Sequence, residues 1–207
     1  MTDQHPAPAP ALPDPAAVLP DAAAVLPDPA AVLPDPAAVP RARHDAPEVT
    51  EADLVVLREQ LGRPARGVVG IAARCACGRP LVVRTSPRLD DGTPFPTTYY
   101  LTCPPAVAAV STLEATGLMK ELTARVQAEP ELAAAYQRAH EAYLADRAEL
   151  GEVPEIAGIS AGGMPTRVKC LHVVVGHALA AGPGVNPVGD DVLLRLRDVW
   201  RPDRCTC

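Results

Sequence analysis

The chain has 207 residues, 48% of them hydrophobic but only 3% aromatic, and a formal net charge of −6. That acidic balance excludes the electrostatic footprint of a nucleic-acid binder, and no apolar run reaches the roughly 18 residues of a membrane span. The opening Met-Thr-Asp-Gln-His-Pro has neither the basic start nor the apolar stretch of a secretion signal, so a cytoplasmic protein is expected.

Residues 1–47 read as a separate segment. They hold twelve of the 25 prolines, no aromatic residue, and a seven-residue unit that recurs at Asp14, Asp21, Asp28 and, shortened, at Asp35. Proline at that density forbids a continuous helix, so the segment is predicted to be a disordered Pro/Ala-rich tail, a spacer or a docking arm for a protein partner. Its six aspartates face only Arg41 and Arg43, which leaves −2 on the remaining chain. A nearly neutral domain of that kind again argues against nucleic acid as a partner.

Residues 48–201 are predicted to form one globular α+β domain, a small antiparallel three-stranded sheet packed against several helices, with residues 202–207 as a Cys-containing tail. Thr50 and Asp53 make an acidic capping box for a helix over Glu51 to Leu61, which Gly62 ends. Two strands follow, Gly67 to Arg74 and Pro80 to Thr85, joined by the hairpin-length turn Cys75-Ala-Cys-Gly-Arg79. A third β-prone run covers Thr97 to Thr102 and ends at Cys103. Pro104 and Pro105 suit a helix start, and helical patterns fill Ala106 to Ala115, Leu118 to Ala128 and Glu131 to Leu150. His140 lies beside the apolar stripe of the longest of these, as a boundary histidine. A buried helix is expected from Pro165 onward, through Val168, Leu171, Val174 and Leu179. A last helix is expected over Asp190 to Val199, anchored by Trp200.

Six cysteines punctuate this domain: Cys75, Cys77, Cys103, Cys170, Cys205 and Cys207. In a cytosolic chain they are thiols or metal ligands rather than disulfides. An up-down-up meander brings Cys75 or Cys77 close to Cys103, and a helix can add Cys170 and His177, which are seven residues apart. Zinc held by ligands drawn from Cys75, Cys77, Cys103, Cys170 and His177 is therefore one reading; buried unliganded thiols are the other. Cys205-Thr-Cys207 reads most simply as an exposed tail, with a weaker option as a metal or redox handle.

Ser160-Ala-Gly-Gly-Met-Pro165 feeds the buried helix. Gly162 and Gly163 with Thr166, Arg167 and Lys169 can form a site for a small anionic ligand, since free amides at a helix start favour anions. The segment matches neither a Walker loop nor a dinucleotide fingerprint. Cys170 could instead serve as the nucleophile of a thiol-dependent hydrolase or transferase, with His172 or His177 as base. Neither composition nor spacing decides whether the protein is an enzyme.

Several strings fall together: Leu61-Gly-Arg-Pro64, Cys75-x-Cys-Gly78, Pro87-Arg-Leu-x-Asp-Gly-Thr-Pro-Phe-Pro96, Tyr99-Tyr-Leu-Thr-Cys-Pro104 and Leu118-Met-x-Glu-Leu122. Further on come Glu129-Pro-Glu-Leu-Ala133, Ser160-Ala-Gly-Gly-Met-Pro-x-Arg-Val-Lys-Cys-Leu-His172 and Gly182-Pro-Gly-Val-Asn-Pro187. From about Val49 to Asp198 the chain resembles the bacterial, actinobacterial-type family known as "domain of unknown function 501". The resemblance implies no established activity. Genes of that family often lie near those for a septum-formation initiator, which is context rather than mechanism; an adaptor linked to septum formation or cell division, with the proline-rich tail as spacer, is a further alternative.

Overall fold

The computed structural model describes residues 48–207, so the disorder and docking roles expected of residues 1–47 lie outside the described residues. Helix α1 spans Glu51–Leu61. Its capping box is complete: Thr50 Oγ1 accepts from the Asp53 amide at 3.1 Å, and the Asp53 carboxylate accepts from the Thr50 amide at 3.1 Å. Gly62 ends the helix at φ 66°, a left-handed conformation that costs a glycine nothing. Asp53 also receives both terminal nitrogens of Arg74, at 2.7 and 2.9 Å. That pair ties α1 to the sheet and holds the Asp53 carboxyl well below the usual carboxylate range.

The sheet is a meander in the order β1-β2-β3, with β1 at Val68–Arg74, β2 at Pro80–Thr85 and β3 at Tyr99–Leu101. Both pairings are antiparallel, with Ile71 opposite Val83 and Val83 opposite Tyr100. Every residue of β2 is buried, because both faces of the central strand are covered. Val83 and Ile71 pack with Leu57 of α1 on one side, while Val82, Tyr99 and Leu101 join the main core on the other. β3 is shorter than the run from Thr97 to Thr102, but Thr98 O and the Thr102 amide still bond across to Thr85 and Leu81.

Helices α2 (Pro104–Ala115), α3 (Leu118–Ala128) and α4 (Pro130–Ala148) follow the expected order, with prolines at the starts of α2 and α4. A single 3-10 turn, Pro154–Ile156, precedes the Gly-rich loop. The buried Arg147 reaches from α4 to the Ile156 and Ile159 carbonyls, at 2.7 and 2.6 Å, and so holds that loop down. His140, half-buried as a boundary residue, hydrogen-bonds Ser160 at 2.9 Å.

Helix α5, Leu171–Ala181, is the centre of the core, lying against β3 and against α6, Pro187–Leu196. Its start corrects the expectation of a helix from Pro165. Residues 162–169 close a loop instead: the Lys169 amide donates to Gly162 O at 2.7 Å and the Arg167 amide to Gly163 O at 3.2 Å. Cys170 is extended at the N-cap, so Arg167 and Lys169 precede the helix rather than ride on its first turn. Helix α6 likewise starts three residues before the expected Asp190. Asn186, read as part of a turn, is its cap and accepts from the Gly189 amide at 3.0 Å. Trp200 is buried after this helix, as expected.

Candidate metal centre

The turn between β1 and β2 is pinned by its own backbone. The Cys75 amide donates to Arg79 O at 2.9 Å, and the Gly78 amide to Cys75 O at 2.8 Å. Onto this turn folds the end of the chain. Arg201 pairs with Arg204 across a short reversal, and the Ala76 amide donates to Pro202 O at 3.3 Å. The reversal delivers Cys205 and Cys207 to the hairpin. The thiols of Cys75, Cys77, Cys205 and Cys207 all lie within 4.8 Å of one another, close enough to bind one metal ion.

The contact between Cys207 Sγ and Cys75 Sγ is 3.6 Å. Two sulfurs on one tetrahedral zinc, each at about 2.3 Å, stand about 3.8 Å apart. Cys75 is buried at the base of the cluster, and the other three are exposed. Their environments pull the thiols apart electrostatically. Desolvation pushes the buried Cys75 thiol up, and the Cys207 thiol too where its sulfur packs against Cys103 and Cys75 at the inner side of the cluster. The Arg79 backbone and then Cys205 bring Cys77 down to about 7.

The residues expected to ligate a metal do not assemble as one set. Cys75 and Cys77 come together, and the meander does carry Cys103 to the same end of the sheet, where its Sγ lies 3.6 Å from Cys207. Cys103 is fully buried beneath the cluster rather than one of its four mutually close thiols. Cys170 joins a different group, with Glu114 and His172. His177 joins neither. It is fully buried in the core, stacked on Tyr99 at 5.7 Å and edge-on to Tyr143 at 5.2 Å. Its Nδ1 faces Asn186 Nδ2 at 3.2 Å, Nε2 has no hydrogen-bond partner, and burial pushes its pKa down to about 3. That is a neutral packing histidine, placed neither as a base nor as a ligand.

The second pair of thiols, Cys205-Thr-Cys207, has the same one-residue spacing as Cys75-Ala-Cys77. Of the two readings of that pair, an exposed tail or a metal or redox handle, the fold favours the second, because the chain's reversal returns it to the hairpin. Nothing in the residue spacing marks Glu114, which meets its neighbours only through the fold. Its Oε1 accepts from the Leu171 amide at 2.6 Å and lies 3.2 Å from His172 Nδ1, which is 3.8 Å from Cys170 Sγ. Cys170 and then Glu114 raise the His172 pKa to about 9.

Around the Gly-rich loop, the expected anion cradle is spent internally. The Arg167 and Lys169 amides are bonded to the loop's own carbonyls, and the Val168 amide donates to Thr123 Oγ1 at 2.9 Å. Gly162 and Gly163 serve the loop's geometry. At Gly163, φ is 90° and an added Cβ would sit 2.9 Å from Arg167 O. Thr166 is exposed and, like the two glycines, lies outside the neighbouring groove. That groove, about 470 Å³, runs between α3 and the loop and is lined by Lys120, Arg167 and Lys169 with no carboxylate. Side chains rather than amides therefore carry the positive charge, and Lys120 is the residue that sequence reading did not include.

A family model described as "Protein of unknown function (DUF501)" matches residues 71–194. The matched span includes Cys75, Cys77, Cys103, Glu114, Cys170 and His172 and stops short of Cys205 and Cys207. No curated protein and no solved structure matches the chain.

Proposed function

This chain belongs to the DUF501 family of proteins of unknown function, and on that premise we propose that it is a cytoplasmic protein whose domain is tied together by one zinc ion and offers a groove for a small anion. The zinc is bound by Cys75, Cys77, Cys205 and Cys207. One observation carries this reading: two Cys-x-Cys pairs from distant parts of the chain converge within 4.8 Å, on a backbone already docked through Ala76 and Pro202. Four thiolates select zinc among common cellular divalent ions, and a closed set of four protein ligands is a structural site. The family match supplies no activity to carry over.

Several features support the rest. No disulfide links the described cysteines, which suits a reducing compartment. No described helix is long and apolar enough to cross a membrane. Lys120, Arg167 and Lys169 are exposed around the groove without an opposing carboxylate in its lining, the arrangement that attracts phosphate-type or carboxylate ligands. Elemental analysis of the reduced, purified chain tests the central claim. The expected result is a zinc equivalent that Cys205→Ser removes. Retention of the same metal content in that variant would sink the four-cysteine site, and iron in place of zinc would overturn the metal's identity.

A further inference from the structure

Helix α2 and the start of α5 bring together a second group of donors. One ligand atom from each of Glu114, Cys170 and His172 lies within 4.8 Å of the other two, and all three residues are half-buried. The carboxylate comes from the last turn of α2, the thiol from the N-cap of α5, and the imidazole from its second residue.

We infer that Glu114, Cys170 and His172 form a second metal site, for a divalent transition cation held by three protein ligands with a fourth position left for water or an anionic oxygen ligand. The distances fit that use. On a tetrahedral zinc, sulfur and nitrogen ligands stand about 3.6 Å apart and nitrogen and oxygen ligands about 3.4 Å apart. The corresponding separations are 3.8 Å from Cys170 Sγ to His172 Nδ1 and 3.2 Å from Nδ1 to Glu114 Oε1.

The surrounding hydrogen bonds orient the donors. His172 Nε2 lies 3.3 Å from Val107 O and 3.2 Å from Ser111 Oγ. A carbonyl can only accept, so its bond to Nε2 keeps a proton there, and a cation would bind Nδ1 in place of the proton that nitrogen shares with the carboxylate. Ligating histidines are held by a second N–H bond of this kind. The Leu171 amide, donating to Glu114 Oε1 at 2.6 Å, holds the carboxylate in place and leaves that oxygen a further lone pair.

A thiol nucleophile fits the same atoms less well. A catalytic Cys-His pair places its orienting carboxylate on the ring nitrogen opposite the thiol. Here both the thiol and the carboxylate crowd Nδ1, and the opposite nitrogen meets a carbonyl. Three donors converging on one point describe a cation's coordination sphere.

This site is independent of the four-cysteine centre, and the two can be separated. The full-length reduced protein is loaded with Co²⁺, desalted, and assayed for bound metal and visible absorption. Two equivalents are expected, one with an all-thiolate spectrum and one with a mixed-ligand spectrum. Glu114→Gln and Cys170→Ser should each lose the mixed-ligand equivalent and keep the other, and Cys205→Ser should do the reverse. Glu114→Gln keeps an oxygen for the Leu171 amide, so it decides the matter even if Cys170→Ser does not fold. Saturating Zn²⁺ should also slow alkylation of Cys170 by iodoacetamide at least tenfold. A metal content unchanged by Glu114→Gln would overturn the site. So would a Cys170 alkylated equally fast with and without metal, which would instead mark it as a free thiol nucleophile.

Discussion

Replacing Cys205 with serine cuts a cross-link between the chain's last residues and its first hairpin. Cys205 is exposed and its side chain contributes nothing to the core, so the change isolates the metal's contribution from packing. The segment closed between Cys77 and Cys205 is about 130 residues long, and closing a loop of that length lowers the unfolded chain's entropy by about 5 kcal/mol at 25 °C. That figure is a ceiling, since the unfolded chain retains some structure of its own. For a domain of this size each kcal/mol moves the melting temperature by about 2–4 °C, so the loss should approach 10–20 °C. The assay is thermal unfolding followed by circular dichroism in reducing buffer, with and without a chelator. The wild-type chain should melt high with zinc and fall steeply with chelator, while Cys205→Ser should show only the smaller shift that the Glu114–Cys170–His172 site contributes. Coincident melting of both proteins under both conditions would refute the cross-link. Cys103→Ser supplies the contrast. It removes a fully buried thiol that lies outside the four-ligand set, so it should lower the melting temperature while the metal content stays unchanged.

Gly189→Ala should destabilise the fold by roughly 1–3 kcal/mol despite alanine's better helix propensity. Its Cβ would lie 2.2 Å from Val174 O and 2.7 Å from Ala178 Cβ, so α5 and α6 must separate; a melting temperature at or above wild type would contradict the close approach. Asp190 accepts from the Gly184 amide at 2.8 Å, but burial raises its pKa to about 6. Between its unfolded value of 3.8 and about 6 the folded chain binds the proton more tightly, so this group's contribution to stability falls as pH rises through that window. Asp190→Asn should flatten this part of the pH profile and raise stability at pH 7 by on the order of 2 kcal/mol; an unchanged profile would refute the assignment. Arg167→Glu, at an exposed position, should leave the melting temperature within about 1 °C and weaken inorganic phosphate or polyphosphate binding about tenfold or more, read by calorimetry, because it reverses one of three charges around the groove. Equal binding by the variant would move the anion site elsewhere.

Local rules in the sequence reached far into this fold. The Thr50–Asp53 box and Gly62 bound α1 at both ends, because caps are satisfied within a few residues of where they stand. Two apolar runs around a five-residue turn were enough for the β1–β2 hairpin, and prolines at the starts of α2 and α4 marked two more boundaries. The same local logic misplaced α5. A proline after two glycines looks like a helix start, but the Lys169 and Arg167 amides turn back onto Gly162 and Gly163, and the Val168 amide goes to Thr123, 45 residues away.

What the sequence by itself determined was composition-level and local: an α+β domain, its element order, two Cys-x-Cys pairs and a glycine-rich turn ahead of a buried helix. What only the tertiary structure decided was which donors share a point in space. Cys205 joins Cys75 because a backbone reversal after Trp200 docks on the hairpin, and Glu114 joins His172 because α2 packs against the start of α5. His177 leaves the candidate set because the core closes around it. Ligand geometry is a property of distances between elements far apart in the chain. Those distances are set by packing of the whole core, and residue spacing along the sequence does not encode them.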